Sequence, residues 1–204
     1  MAWAPSYATA AQLRTYMRID AVTGDATDIA QDTLVHTPAV AAASRLIDRA
    51  TNRQFGSVTS EARYYTARWD VSRNAYIVAI DDLGTVSGLA VAVDLDGTLA
   101  FATTVTVDAT LPLNAIAKGR VITDLVLSNG TTVEGATKVT AVWGWAAVPD
   151  TILEATLLQA SRFAKRRDSP YGVAGSPEFG NEIRLLAKLD PDVQQMVSAY
   201  RRYW

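Results

Sequence analysis

The 204 residues contain no cysteine, which excludes a disulfide framework and any thiolate metal site. That absence fits a chain folded in a reducing cytoplasm. Histidine is nearly as scarce, with His36 alone beside Thr37-Pro38. A single His without Cys or a sequence-adjacent carboxylate pair reads as a surface or capping residue before it reads as a general base. No apolar run approaches the ~18 residues of a membrane span, and the longest is broken by Gly144. Met1-Ala-Trp-Ala-Pro5 lacks the basic start and apolar centre of a signal peptide. The expectation is a soluble, unexported protein. No GxGxxG, P-loop, HExxH or GxSxG string occurs, so an enzyme is the weaker class, with neither cofactor nor metal expected. The net charge of −2 leaves no polycation, and nucleic acid could be met only by a local basic patch.

What is present is an ordinary globular balance, 49% apolar and 20% charged, in a chain long enough to bury a core. It falls into three parts. Residues 1–60 read as helical. Tyr7–Arg18 sets Leu13, Tyr16 and Met17 on one face, and a second segment holds Ile29 and Leu34. A third takes Thr37 as N-cap and Pro38 at the first helical position, with Val40, Ala43, Ile47 and Ala50 as its stripe. Arg45, Arg49 and Arg53 recur every four residues on another face.

Residues 61–148 change period. Alternating β-branched and aromatic residues predict strands over 63–69, 76–80, 86–93, 103–107, 121–127 and 138–143. Turn signals fall at Asp82–Gly84, Asp94–Gly97 and Asn129-Gly130, the last the strongest hairpin mark. Asp94-Leu-Asp96-Gly97 has the opening of a calcium loop, but Val105 stands where the twelfth-position Glu would be, so a hairpin turn is the better reading. Several short strands point to an antiparallel barrel or sandwich. This part is the acidic one, with 9 acidic and 6 basic residues.

Residues 149–204 return to helix. Pro149 starts a helix with Ile152, Leu153, Thr156, Leu157, Ala160, Phe163 and Ala164 on one face. Asp168–Asn181 is too rich in Gly and Pro for regular helix, and Asp190-Pro-Asp opens a last helix. The fold class expected is therefore α+β, a helical core of N- and C-terminal helices interrupted by an antiparallel β-rich insertion.

Two features read as binding surfaces. Arg162, Lys165, Arg166 and Arg167 lead into Asp168-Ser-Pro-Tyr171, a basic cluster beside an aromatic. Its bland reading is the cationic end of a helix. The tail Tyr200-Arg201-Arg202-Tyr203-Trp204 carries residue types common at interface hot spots, or else packs on its own core.

The stretch Lys138-Val-Thr-Ala-Val-Trp-Gly-Trp-Ala-Ala-Val-Pro-Asp-Thr-Ile152 resembles the passage by which head-tail connector proteins of tailed phages leave a β insertion and enter the next helix. Ala155–Ala160, Lys165–Gly175, Glu178-Phe179-Gly180, Leu189–Val193 and Tyr200–Arg202 follow in the order of that family. Tyr7–Arg18 and Ala41–Arg49 are similar to its opening helices, whereas 61–137 shows no detailed likeness. The resemblance implies a helical adaptor core and a ring, twelvefold, docked under the portal protein. It implies further a surface for the next neck or tail protein, and double-stranded DNA passing through the lumen without sequence reading. Arg166, Arg167, Tyr171, Phe179, Tyr200, Arg201, Arg202, Tyr203 and Trp204 become the expected partner-binding residues in a portal-binding arm, and Arg45, Arg49 and Arg53 the subunit-interface residues. The implied location is the virion neck, after synthesis in the host bacterial cytoplasm. Other readings are a stopper or tail-terminator protein, a carbohydrate-binding β module using Tyr64, Tyr65, Trp69 and Tyr76, and a hydrolase using His36.

Overall fold

The computed structural model describes residues 5–19, 26–108, 115, 119–127, 135–166 and 189–203, with the backbone alone at 173–174 and 183–184. The chain divides into two compact units, one formed by 1–55 with 148–204 and the other by 56–147.

The helical unit opens with α1, Ala10–Met17. Thr9 caps it: its Oγ1 accepts the Gln12 N–H at 3.1 Å, and its own N–H donates to Gln12 Oε1 at 2.8 Å. Left-handed Arg18 ends the helix. α2, Ala26–Gln31, runs through a π turn, Asp32–His36, directly into α3, Thr37–Thr51. Thr37 is therefore helical and not an N-cap, its N–H donating to the Asp32 carbonyl five residues back. Pro38 supplies the reason. It has no N–H, and its ring would press on the carbonyl of Leu34 in a regular α-turn; a wider turn relieves both. α3 ends at left-handed Asn52 and buries Ala39, Val40, Ala43, Ser44, Ile47 and Thr51. α4, Asp150–Arg166, packs on it through Leu157, Ala160 and Ala164. α5, Pro191–Ser198, is capped by the Asp190 side chain and packs on both.

The second unit is built on β1 (Glu61–Asp70), β2 (Ala75–Leu83), β3 (Ala90–Val93), β4 (Thr103–Thr104), β5 (Val107–Asp108), β6 (Ile122–Leu127) and β7 (Gly135–Ala141). They form one antiparallel sheet in the order β4-β3-β7-β1-β2-β6-β5, curled into a half-barrel. Alternation puts Ala67, Val78, Ile80, Val91, Val93, Val139 and Ala141 on one face, where Leu125, Leu127 and Trp143 complete the core. The other face carries the cross-strand row Tyr64, Lys138, Ala92 and Thr104. The stretch expected as one strand over 103–107 is split. Its first half pairs with β3 at one edge of the sheet, and three residues later β5 pairs with β6 at the other. Three residues of extended chain reach about 10 Å, so the two edges come close.

The expected fold class is thus corrected. The strands make neither a closed barrel nor a two-sheet sandwich but one seven-stranded antiparallel half-barrel. It is a body of its own because it buries an apolar cluster separate from that of the helices. Two local expectations are also corrected. Asp82 and Leu83 lie within β2 and not in a turn, and 86–89 is a turn with Gly88 at φ 73°, leaving only 90–93 as strand. Asn129-Gly130 and 131–133 lie outside the described residues, as does most of 168–181, in which Val173–Ala174 (β8) pairs with Ile183–Arg184 (β9).

The far end of β2 is closed by a parallel bridge from Leu83 to Gly144. The Gly84 N–H donates to Gly144 O at 2.8 Å and the Gly144 N–H to Asp82 O at 2.7 Å. A Cβ at Gly84 would lie 2.6 Å from Ala146 N and 2.8 Å from Gly144 O, both rigid backbone. Gly84→Ala is expected to destabilise the sheet unit by about 1–3 kcal/mol, the range for overpacking a filled site. Urea unfolding read by tryptophan fluorescence checks this, and an unchanged midpoint would show that the bridge yields freely.

Candidate interaction surfaces

Of the three arginines assigned to a subunit interface, Arg45 makes its contacts inside its own unit. Nη2 donates to Pro5 O at 2.8 Å and pairs with Asp48 at 3.1 Å, and the guanidinium lies 5.8 Å from the Tyr7 ring centre. The Tyr7 hydroxyl donates to Asp48 and accepts the Phe55 N–H at 3.1 Å. Burial, then the Asp48 charge, raises the Tyr7 pKa far above its ordinary value. Burial also raises that of Asp48, against the pull of the Tyr7 hydrogen bond and Arg45. Arg49 is exposed in the last turn of α3. Arg53 follows the left-handed Asn52, so it leaves the helix and the four-residue spacing stops at Arg49.

In the C-terminal basic cluster, Arg162 pairs with Asp190, while exposed Lys165 and half-buried Arg166 sit in the last turn of α4, where the dipole favours cations. Arg167, Tyr171, Phe179 and Trp204 lie outside the described residues. The tail is pinned to its own unit as far as Arg202. Tyr200 meets Phe55 edge-on at 5.5 Å, the Arg202 N–H donates to Thr51 O at 2.8 Å, and Asn52 Nδ2 donates to Arg202 O at 3.2 Å. Arg201 stacks on Tyr203 at 5.2 Å, and Tyr203 projects with 79% of its surface exposed. Among the described residues, 191–202 packs on α3 and α4 of its own unit.

His36 is 3% exposed, and so is not a surface residue. Its Nδ1 lies 2.8 Å from Asp32 Oδ1, and Asp32 Oδ2 lies 3.3 Å from Arg14. The ring borders a cavity of about 200 Å3 with Met17, Ile19, Gln31, Val35, Ala164 and Lys165. A carboxylate-fixed imidazole suits base chemistry, but a hydrolase also needs a nucleophile or water-activating group. Among the described residues the lining offers neither hydroxyl nor thiol, and no group of three or more His, Cys, Asp or Glu could hold a metal. No described helix is long and apolar enough to cross a membrane.

Of the aromatics named for a glycan platform, Tyr64 lies on the opposite face of β1 from Tyr65 and Trp69. Tyr65 is half-buried, its hydroxyl donating to Asp81 at 2.8 Å, and Tyr76 packs under Trp69 at 4.9 Å. Tyr64 and Trp69 are exposed but five residues apart on β1, which turns them to opposite faces.

What the sequence reading missed is the uncovered aliphatic surface on each unit. On the helical unit Ile29 and Leu34 are exposed, Leu34 to 75%. On the sheet unit Val71, Leu95 and Leu99 are exposed, Val71 to 83%, in addition to Trp69 named above. In an α-helix a five-residue step turns side chains about 140° apart; the π turn, with more residues per turn, brings Ile29 and Leu34 towards one side. Their five-residue spacing, foreign to an amphipathic α-helix, was the available signal. No family model matches the chain, and no curated protein matches it.

Proposed function

We propose that the chain is a head-tail connector subunit of a tailed bacteriophage, assembling as a twelvefold ring beneath the portal protein in the neck of the virion. In this reading it performs no chemistry. It joins capsid to tail, offers a face to the next neck or tail protein, and lets double-stranded DNA pass without base contacts. The ordered string of motifs over 138–202, with the likeness over 7–55, supports the family. The structural observation that carries the reading is the pair of separate uncovered apolar surfaces, Ile29 with Leu34 on one unit and Trp69 with Val71 on the other. A ring subunit needs two different faces for head-to-tail contacts, and exposed large aliphatic groups of this kind mark association surfaces.

Basic groups fit the same picture. Arg45 and Arg162 already pair with Asp48 and Asp190 within the subunit, so these two groups are not directed at a DNA-lined wall. A stopper or tail-terminator protein would use the same kinds of surface, and its partner in a binding assay would be the adaptor instead of the portal.

The test is native mass measurement of the chain alone and with a portal protein. Rings or portal-bound rings are expected from the unaltered chain, and Leu34→Asp is expected to abolish them while leaving the melting temperature unchanged. Leu34 is largely solvated, so the substitution strains no core. A chain that stays monomeric with and without portal, or a Leu34→Asp chain that assembles normally, would refute the reading.

A further inference from the structure

The loop between β3 and β4, residues 94–102, holds a group that the packing leaves unfinished. Asp94 is 9% exposed. Its main-chain N–H donates to Ala136 O at 3.0 Å, and its Oδ2 accepts the Leu99 N–H at 3.0 Å. Its Oδ1 is shut off from solvent and has no hydrogen-bond partner. A buried carboxylate oxygen without a donor is among the costliest omissions a fold can make, and native structures rarely leave one unexplained. Two residues on stands a second carboxylate. Asp96 Oδ1 accepts the Thr98 N–H at 3.2 Å and the Thr98 hydroxyl at 2.8 Å. Two carboxylates in one turn, one of them buried, are stabilised by a positive charge beside them.

We propose that Asp94 and Asp96 hold a hard divalent cation of the calcium class, with loop carbonyls and water completing an oxygen shell. The donor set decides the class. The chain has no cysteine, and its only histidine belongs to the other unit, so only oxygen ligands are at hand. Calcium accepts irregular geometry and a variable ligand number, which suits a loop winding through positive φ at Gly97, Leu99 and Phe101; magnesium demands a near-ideal octahedron. The missing twelfth-position glutamate does not exclude this. That rule belongs to a loop between two helices, whereas this loop joins paired strands and Val105 is part of the buried core.

The full chain, stripped with a chelator, would be titrated with calcium chloride and separately with terbium. A two-carboxylate site of this kind is weak, with Kd on the order of 10⁻⁴–10⁻³ M. Saturating calcium is therefore expected to raise the melting temperature by several degrees through preferential binding to the folded state. Terbium emission should be sensitised by Tyr64, whose ring packs 5.3 Å from that of Phe101 in the loop. Asp94→Asn and, on the exposed side, Asp96→Asn should each abolish both signals. Asp96→Asn removes no buried group, so its folding is the control if Asp94→Asn proves unstable. No melting shift and no terbium emission from the unaltered chain would overturn the proposal. Equal responses from the Asp96→Asn chain would overturn it too.

Discussion

A chain ended at Asp190 is expected to lose the fold of its helical unit, not merely a binding arm. α5 contributes Val193 and Val197, both sealed from solvent, and Tyr200 continues the same face onto Phe55, which is itself fully buried between Tyr200 and Tyr7. Removing two buried valines and uncovering their partners costs about 3–6 kcal/mol from the apolar area alone. The Arg202 link to the end of α3 goes with them. Domain stabilities are typically about 5–15 kcal/mol, so the loss is comparable to the whole. Far-ultraviolet dichroism and amide exchange of the truncated chain should show weakened protection over 37–51 and 150–166. Retained protection there would mean that α3 and α4 hold each other without α5. A milder contrast is Tyr203→Ala, which removes an exposed ring and should leave melting unchanged.

Trp143→Ala is expected to be the most damaging single substitution in the sheet unit, at about 3–5 kcal/mol. Its side chain is fully buried, and its Nε1 donates to Glu61 O at 3.0 Å across the start of β1. Its ring lies 5.7 Å from that of Tyr65 and 4.8 Å from the Arg63 guanidinium. Arg63 is held there by Glu61 and Asp81, each at 2.7 Å, and the Tyr65 hydroxyl donates to the same Asp81 oxygen. Loss of the indole therefore leaves a cavity and unsettles a charged network built around one of its faces. Equilibrium urea unfolding should show the midpoint fall, and Trp143→Phe should recover most of the packing but not the hydrogen bond. A Trp143→Ala midpoint within experimental error of the original would mean that the core collapses around the gap.

The parts of the fold that were legible in the sequence are those in which one period decides. The 3.6-residue stripe of Val40, Ala43 and Ile47 gives α3, and the alternation of 138–143 gives β7 with its inward Val139 and Ala141. Illegible were the places where a long-range partner or a wider turn decides. Thr37-Pro38 has the local chemistry of a helix start, yet the preceding segment continues through it because a π turn makes room for the ring. Thr103–Val107 alternates like one strand, but its two halves pair with β3 and β6, strands that lie at opposite ends of the sheet order. Asp81-Asp82-Leu-Gly84 has the composition of a turn. Arg63 and the Trp145 Nε1–H, donating to Asp82 at 3.0 Å, make those carboxylates acceptable in a strand. For the surfaces, residue type proved a weak guide to direction. Arg45 turns inward to Tyr7 and Asp48, and Tyr200 inward to Phe55, while Leu34 and Val71, unremarkable as residue types, face solvent.

The split of the 103–108 stretch between the two margins of the sheet has a consequence for how copies of the chain can meet. A margin strand normally exposes a row of unpaired amide and carbonyl groups, which a foreign chain can adopt as a template. Here each margin strand is only two residues long, and both belong to the same short piece of backbone. Among the described residues, an extended segment finds only a two-residue ladder on β4 or on β5, which gives strand addition little to build on at either strand. Neighbours that meet these two strands read side chains more than backbone, which makes association sensitive to single substitutions such as one at Val71.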